Sequence, residues 1–251
     1  QNAIERVQLG PERRSRVITP EEKELVAFHE AGHAVVAHLL PDAPAMRKVT
    51  IIPRGMAGGV TWFLEDDNRL RTTQQFRAQI AVALGGRVAE EEVFGDVTTG
   101  ASGDLQSITQ AARAMVTQYG MSELGLRVYG SSRQEMVFLG REISEQRDYS
   151  ESVAEEIDRA VEEIITTEYD RVRQLLRSHR DKLDLIAQTL LEIETLEADA
   201  FAELMETGVY NPSSSVDNNG SNSRPTPKKD GRDSKSWNPP SIDMPPSPSP
   251  A

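Results

Sequence analysis

Cysteine is absent from this 251-residue chain, so no disulfide contributes to its stability. Lysine is scarce, and none of the six follows a glycine. A P-loop needs Gly-Lys ahead of Ser or Thr, so no nucleotide is expected to bind this stretch. No apolar run reaches the roughly 18 residues that span a bilayer, and no signal peptide precedes the first expected helix, so the chain is expected to be soluble as written. It opens on Gln rather than Met, which reads as a piece of a longer polypeptide. Positive charge is in deficit as well: the formal net charge is −12. From Asn211 onward the basic residues (Arg224, Lys228, Lys229, Arg232, Lys235) outnumber the acidic ones (Asp217, Asp230, Asp233, Asp243) by one, leaving about −13 on the rest. Phosphate recognition wants a basic face, so no nucleic-acid partner is expected, and the acidity is read as serving solubility.

Against these absences stands His29-Glu30-Ala31-Gly32-His33. At about 100° and 1.5 Å per residue, positions i and i+4 share a helix face roughly 6 Å apart along the axis, so both imidazoles can reach one tetrahedral Zn²⁺ at ~2.1 Å. Glu30 follows the first histidine and can stand beside a metal rather than on it, placed to take a proton from bound water. The competing reading is a chance match, with each histidine hydrogen-bonded in a core and Glu30 on a solvated flank. Local signals weigh against it. Thr19-Pro20-Glu21-Glu22 supplies an N-cap, a proline at the first helical position and a glutamate at the third. An apolar surface of Leu25, Val26, Phe28, Ala31, Val35, Val36 and Leu39 follows, with Pro41 as the stop. Gly32 costs a helix interior about 1 kcal/mol relative to alanine, which suggests something packed closely against that turn.

Two histidines leave a catalytic zinc one protein ligand short. His38 lies about 140° round the helix from His33, and His179 sits in a late, highly charged helix. An extended HExxHxxGxxH pattern fails because Val36 and Leu39 occupy its glycine and histidine positions. A carboxylate is the expected third donor. Asp104, in Thr98-Thr99-Gly100-Ala101-Ser102-Gly103-Asp104-Leu105, is one candidate, although an acid in the first turn of a helix is also explained by the helix dipole. Glu90, Glu91 and Glu92 are rivals, with a solvated acidic face as their ordinary explanation.

The coarse pattern is mainly α: helix 20–39, strands near 47–53 and 58–64, helix 73–94, helix 102–118 and three late helices. Lys48-Val49-Thr50-Ile51-Ile52 and Gly59-Val60-Thr61-Trp62-Phe63-Leu64 suit a strand pair across a Pro- and Gly-containing loop. Adding an extended peptide to a sheet edge satisfies its backbone without reading its sequence, so Val60, Thr61 and Trp62 are candidate substrate-binding residues. The alternative is that Trp62 and Phe63 are core and rim of a small sheet. Gly85-Gly86 inside the helix beginning near residue 73 costs about 2 kcal/mol of propensity, which suggests close packing behind the metal helix. Late stripes (Val153, Ile157, Val161, Ile164, Ile165; Leu183, Ile186, Leu190, Leu191) read as a helical bundle. Thr195-Leu196-Glu197-Ala198 reads as the N-cap of one more short helix, ending near Gly208. The tail, 211–251, is rich in Pro, Ser and Asn and is expected to be disordered, with a Pro-rich docking segment as the alternative.

Taken in order, HEAGHAVV, KVTIIPRG, GGVTWFLE, ALGGRVAEE, TTGASGDL and MVTQYGMSELG resemble the protease domain of the FtsH family of membrane-anchored AAA+ zinc metalloproteases. The resemblance runs from about residue 1 to 212. It implies a mainly α zinc metalloprotease domain with a small β-sheet near the metal helix and a C-terminal helical bundle. It implies one Zn²⁺ per chain held by His29, His33 and Asp104, with Glu30 as the base, and so favours Asp104 over Glu90. Residues 1–18 then resemble the end of the ATPase lid and a linker, 19–210 the protease domain (catalytic part 19–140, helical part 141–210), and 211–251 the tail. ATP would belong only to a missing ATPase domain. The whole protein would be a homo-hexamer acting on unfolded and membrane-protein substrates. It would be membrane-anchored through segments not present here, with its protease domain on the cytoplasmic or stromal side. No oxyanion-stabilising residue is identified. The alternative from another class is a non-catalytic helical assembly module with a structural metal, which predicts four protein ligands and no open position.

Overall fold

Helix α1 (Pro20–Leu39) starts where the sequence marks it: the Thr19 hydroxyl accepts from the Glu22 amide at 3.2 Å, and Pro20 needs no amide partner at the first helical position. It stops at Leu40, whose extended backbone leads into Pro41. The computed structural model describes residues 18–53, 57–64, 70–130 and 149–210. The residues read as lid end and linker (all but Ile18 of 1–18) and the tail (211–251) lie outside them, and every described residue belongs to one unit, Gln1–Val216.

Strands β1 (Met46–Thr50) and β2 (Val60–Phe63) follow, then helix α2 (Thr73–Phe94), a 3₁₀ turn (Thr99–Ala101), and helices α3 (Ser102–Thr117), α4 (Glu151–Ser178) and α5 (Arg180–Ile193). Strand β3 (Thr195–Glu197) and helix α6 (Ala198–Thr207) close the described chain. The fold is therefore mainly α, as the sequence implies, with six helices and three short strands among the described residues.

Helix α1 is central to the described part of the chain. From Ala27 to Ala37 only His29 is not fully buried, because α2 packs on one side, α5 on another, and the sheet on a third. Helix α2 enters through a capping box between Thr72 and Gln75 and leaves through Gly95, which holds φ at 71°. Where α1 and α2 cross, Gly32 meets Gly85 backbone to backbone. A Cβ on Gly32 would run into the Gly85 carbonyl and stand 2.7 Å from the Ala89 Cβ, and one on Gly85 would stand 2.7 Å from the Gly32 carbonyl oxygen. Both glycines are thus explained by close approach, as their propensity cost suggests. Gly32→Ala is expected to destabilise the fold by about 1–3 kcal/mol, because rigid backbone cannot make way for the methyl; the midpoint of urea unfolding measures it.

The sheet order is β2-β1-β3, antiparallel throughout, with Val49 opposite both Thr61 and Leu196. The third strand corrects the sequence reading: Thr195 is not a helix cap but the residue paired with Thr50. Helix α6 instead follows Glu197, which makes no side-chain cap, and ends at Gly208 as expected. The turn into β3 depends on Glu194, the one non-glycine residue at positive φ (62°) among the described residues. Its carbonyl accepts from the Ile51 amide and the Thr50 hydroxyl, both at 3.0 Å, and its carboxylate takes the Lys23 ammonium at 3.1 Å. No described helix is long and apolar enough to cross a membrane.

Candidate metal centre

His29 and His33 lie one turn apart on α1 with their rings edge to face, centroids 4.7 Å apart. Asp104 reaches them from the first turn of α3, so ligands distant in sequence converge only through the tertiary fold. The three donor atoms are close: His29 Nε2 to His33 Nε2 is 3.0 Å, His29 Nε2 to Asp104 Oδ2 is 3.3 Å, and His33 Nε2 to Asp104 Oδ2 is 3.7 Å. A tetrahedral Zn²⁺ with bonds of ~2.1 Å has ligand–ligand edges of about 3.4 Å. The donor triangle brackets that value.

What the imidazoles donate to decides which nitrogens face inward. His33 Nδ1 is 2.7 Å from the Val82 carbonyl oxygen, which can only accept, so the proton sits on Nδ1 and Nε2 carries a lone pair. With that proton in place the Gly86 amide, 3.3 Å from the same nitrogen, is a neighbour rather than a donor to it. His29 Nδ1 donates to Glu90 Oε1 at 2.7 Å, leaving its Nε2 free in the same way. With both Nδ1 protons turned outward, the two Nε2 atoms 3.0 Å apart and the carboxylate oxygen beside them converge on one point, where either a proton on His29 or a metal cation balances the charge. Two imidazole nitrogens and a carboxylate oxygen, each imidazole steadied by an outer hydrogen bond, are a donor set that could hold a tetrahedral cation such as Zn²⁺. Three donors from protein leave a fourth position open.

Glu90 lies outside that donor cluster. It is fully buried, and while Oε1 orients His29, Oε2 accepts the Thr98 amide at 2.8 Å, tying the metal helix to the segment that delivers Asp104. Nor is the acidic triplet a solvated face. Glu91 accepts the Tyr169 hydroxyl at 2.6 Å, and Glu92 takes Arg173 at 2.8 Å and Arg177 at 2.7 Å, so the end of α2 is fastened to α4. The remaining histidines stand elsewhere: His38 lies edge-on to Phe201, and His179 Nδ1 donates to the Leu175 carbonyl at the end of α4.

The electrostatics express the same demand for positive charge. Burial presses the His29 imidazolium down, but hydrogen bonds to Asp104 and Glu90 and the nearby Glu30 charge outweigh it and carry the pKa up to about 10. Burial pushes the Asp104 carboxyl up, yet the two histidines hold it well below the usual carboxylate range. Glu90 is likewise lowered, burial being outweighed by His29 and the Thr98 amide. A zinc ligand must be a neutral imidazole, so binding displaces the His29 proton. In chelator-stripped protein, zinc uptake at pH 7 is expected to release about one proton per ion, because His29 is protonated below about 10. Affinity should therefore rise with pH up to that point; calorimetry in buffers of different ionisation enthalpy measures the release. The sign for stability is opposite. His29's raised pKa stabilises the stripped fold fully below its ordinary value of 6.5, and that contribution fades as pH climbs through about 10.

Glu30 is buried, and burial raises its carboxyl pKa against the pull of His33, His29 and the Thr61 hydrogen bond. Val60, Thr61 and Trp62 lie on β2, which pairs with β1 on one side and with no strand on the other among the described residues. Trp62 is partly buried, with Lys48 Nζ 6.0 Å from its ring centroid, and its Nε1 is buried without a hydrogen-bond partner among the described residues. Three groups face the histidines: the sequence reading takes Glu90 for a rival ligand and Gly86 for a packing glycine, and leaves Val82 out. Val82 supplies a carbonyl, Glu90 a carboxylate, and Gly86 the absence of a side chain: a Cβ there would stand 2.6 Å from both Nε2 atoms. The available signal was the spacing 82–86–90, which sets one residue per turn of α2 along the face that meets 29 and 33.

Comparison with known proteins agrees with this geometry. Residues 16–204 match the model of peptidase family M41. The chain is 56% identical over 211 residues to the ATP-dependent zinc metalloprotease FtsH of Chloroflexus aggregans, covering 82% of this chain and 32% of that protein. It is 47% identical over 208 residues to that of Bacillus subtilis (82% and 33%), and 46% over 209 residues to that of a Synechococcus species (82% and 33%). The chain thus spans about a third of the length of the curated relatives it matches.

Proposed function

Because this chain belongs to peptidase family M41, we propose that it is a zinc-dependent endopeptidase in which His29, His33 and Asp104 hold the metal and Glu30 is the general base. The supporting observation is the convergence of two lone-pair Nε2 atoms and a carboxylate oxygen at tetrahedral spacing, with a buried carboxylate one residue from the first ligand. A Zn²⁺ held there would supply Lewis acidity, polarising a scissile carbonyl and acidifying water beside it. Glu30 takes the proton of the attacking water and returns it to the amide nitrogen as the C–N bond breaks. The free edge of β2 at Val60, Thr61 and Trp62 receives the peptide as an added strand, which satisfies its backbone and leaves specificity loose. The assembly-module reading needs a fourth protein donor, and the cluster stops at three among the described residues.

Since the chain spans only part of its relatives, the rest of the reading concerns the longer protein. Residues 1–18 are the end of an ATPase lid and a linker, 19–210 form the protease domain, and ATP is used by an ATPase module of the longer protein. A homo-hexamer anchored in a membrane, with its protease domains on the cytoplasmic or stromal side, delivers unfolded and membrane proteins to them. This reading rests on the motifs shared with the family and on the relatives' names. Nucleic acid has no part in it. The test is metal analysis together with proteolysis of unfolded casein. One zinc per chain and ATP-independent cleavage abolished by a chelator are expected, whereas zinc retained without cleavage would favour a structural site.

A further inference from the structure

Gly59 immediately precedes strand β2, and the space a side chain would fill there is taken by Glu30: a Cβ on Gly59 would stand 2.7 Å from Glu30 Cγ, 2.9 Å from Glu30 Oε1 and 2.8 Å from the Thr50 carbonyl oxygen. Two residues on, the Thr61 hydroxyl lies 2.7 Å from Glu30 Oε2 and 3.3 Å from the Glu30 carbonyl oxygen. A hydroxyl has one proton to give, and the shorter contact takes it. We propose that Thr61 is a positioning residue for the base, its hydroxyl holding Oε2 so that Oε1 is the atom through which Glu30 exchanges protons. The inference rests on the reading of Glu30 as the base.

Alternation along the strand places the Thr61 side chain on the face opposite Val60 and Trp62, toward α1. Its backbone lies on the edge proposed to receive the peptide. One residue therefore connects the bound strand to the proton acceptor and fixes the distance between them. Oε1 accepts no hydrogen bond from the described residues, which leaves it available for transfer, while a charged acceptor held by a short hydroxyl bond loses the freedom to swing away.

The full chain, zinc-loaded, is compared as wild type, Thr61→Val, Thr61→Ser and Glu30→Gln on a fluorogenic unfolded peptide. Thr61→Val keeps the shape and loses the proton. Its kcat is expected to fall about tenfold, with KM and zinc content unchanged, and Thr61→Ser should restore most of the loss. As a readout independent of turnover, Thr61→Val should lower the urea midpoint more in wild type than in a Glu30→Ala background, where only the longer bond to the residue-30 carbonyl remains to be lost; an equal shift in both would overturn the proposal. Wild-type kcat in Thr61→Val, an equal loss in Thr61→Ser, or a loss confined to KM would overturn the proposal. An active Glu30→Gln would remove the base assignment itself, and this inference with it.

Discussion

Glu30→Gln is expected to keep one zinc per chain and to lower turnover by about 10²–10⁴-fold, the usual contribution of a positioned general base. Glutamine has the same shape and can still accept the Thr61 hydroxyl, so the seat on β2 survives. What it lacks is a basic oxygen. Stability should move the other way, because burial already disfavours the ionised carboxylate and a neutral amide relieves that cost. A variant that unfolds no earlier than wild type, binds the metal and does not cut isolates the proton-transfer step; one that cuts casein at the wild-type rate removes Glu30 from the mechanism.

Gly86→Ala should separate folding from metal binding in the opposite sense. The new methyl would stand 2.6 Å from His29 Nε2, His29 Cε1 and His33 Nε2, against the atoms that define the site. These are the tips of side chains, so the fold can yield by turning the rings, and alanine in a helix interior gains about 1 kcal/mol over glycine. Turning the rings breaks their bonds to Glu90 and the Val82 carbonyl. Zinc affinity is expected to fall by at least the roughly 10–100-fold seen when outer-shell partners are lost, with peptidase activity falling alongside it. Competition with a chromophoric chelator measures the affinity and cleavage of an unfolded peptide the activity, while denaturation in chelator should show the fold retained, the loss of those bonds offset in part by alanine's helix propensity. Undiminished zinc binding would mean that Gly86 is not what keeps the ring nitrogens clear.

The sequence made the metal helix legible to the residue, Pro20 to Leu39, because a cap, a first-position proline and a following proline all act locally. Helix α2 was equally plain, and its double glycine pointed to close packing against α1, which the approach of Gly85 to Gly32 realises. Asp104 was not separable from Glu90 by local pattern. Both are acids near helix ends, and which one reaches the metal and which reaches His29 Nδ1 depends on how α2 and α3 are placed in space. The family motifs favoured Asp104, whose carboxylate lies with the two imidazoles. The strand at Thr195–Glu197 was hidden for a related reason. Three residues carry no periodicity, and Thr195 has the chemistry of a cap; only pairing with Val49 and Thr50, far away in sequence, makes them a strand.

That short strand limits where the chain can be cut. Ending the polypeptide anywhere before α5 would strip one flank of the metal helix and lay bare the hydrogen-bonding edge of β1, a template for aggregation through its exposed amides and carbonyls. The residues of the candidate site all precede residue 105, yet the strand that covers the β1 edge reaches residue 197. The late helices are thus part of the body that holds the histidines in place rather than an appendage to it.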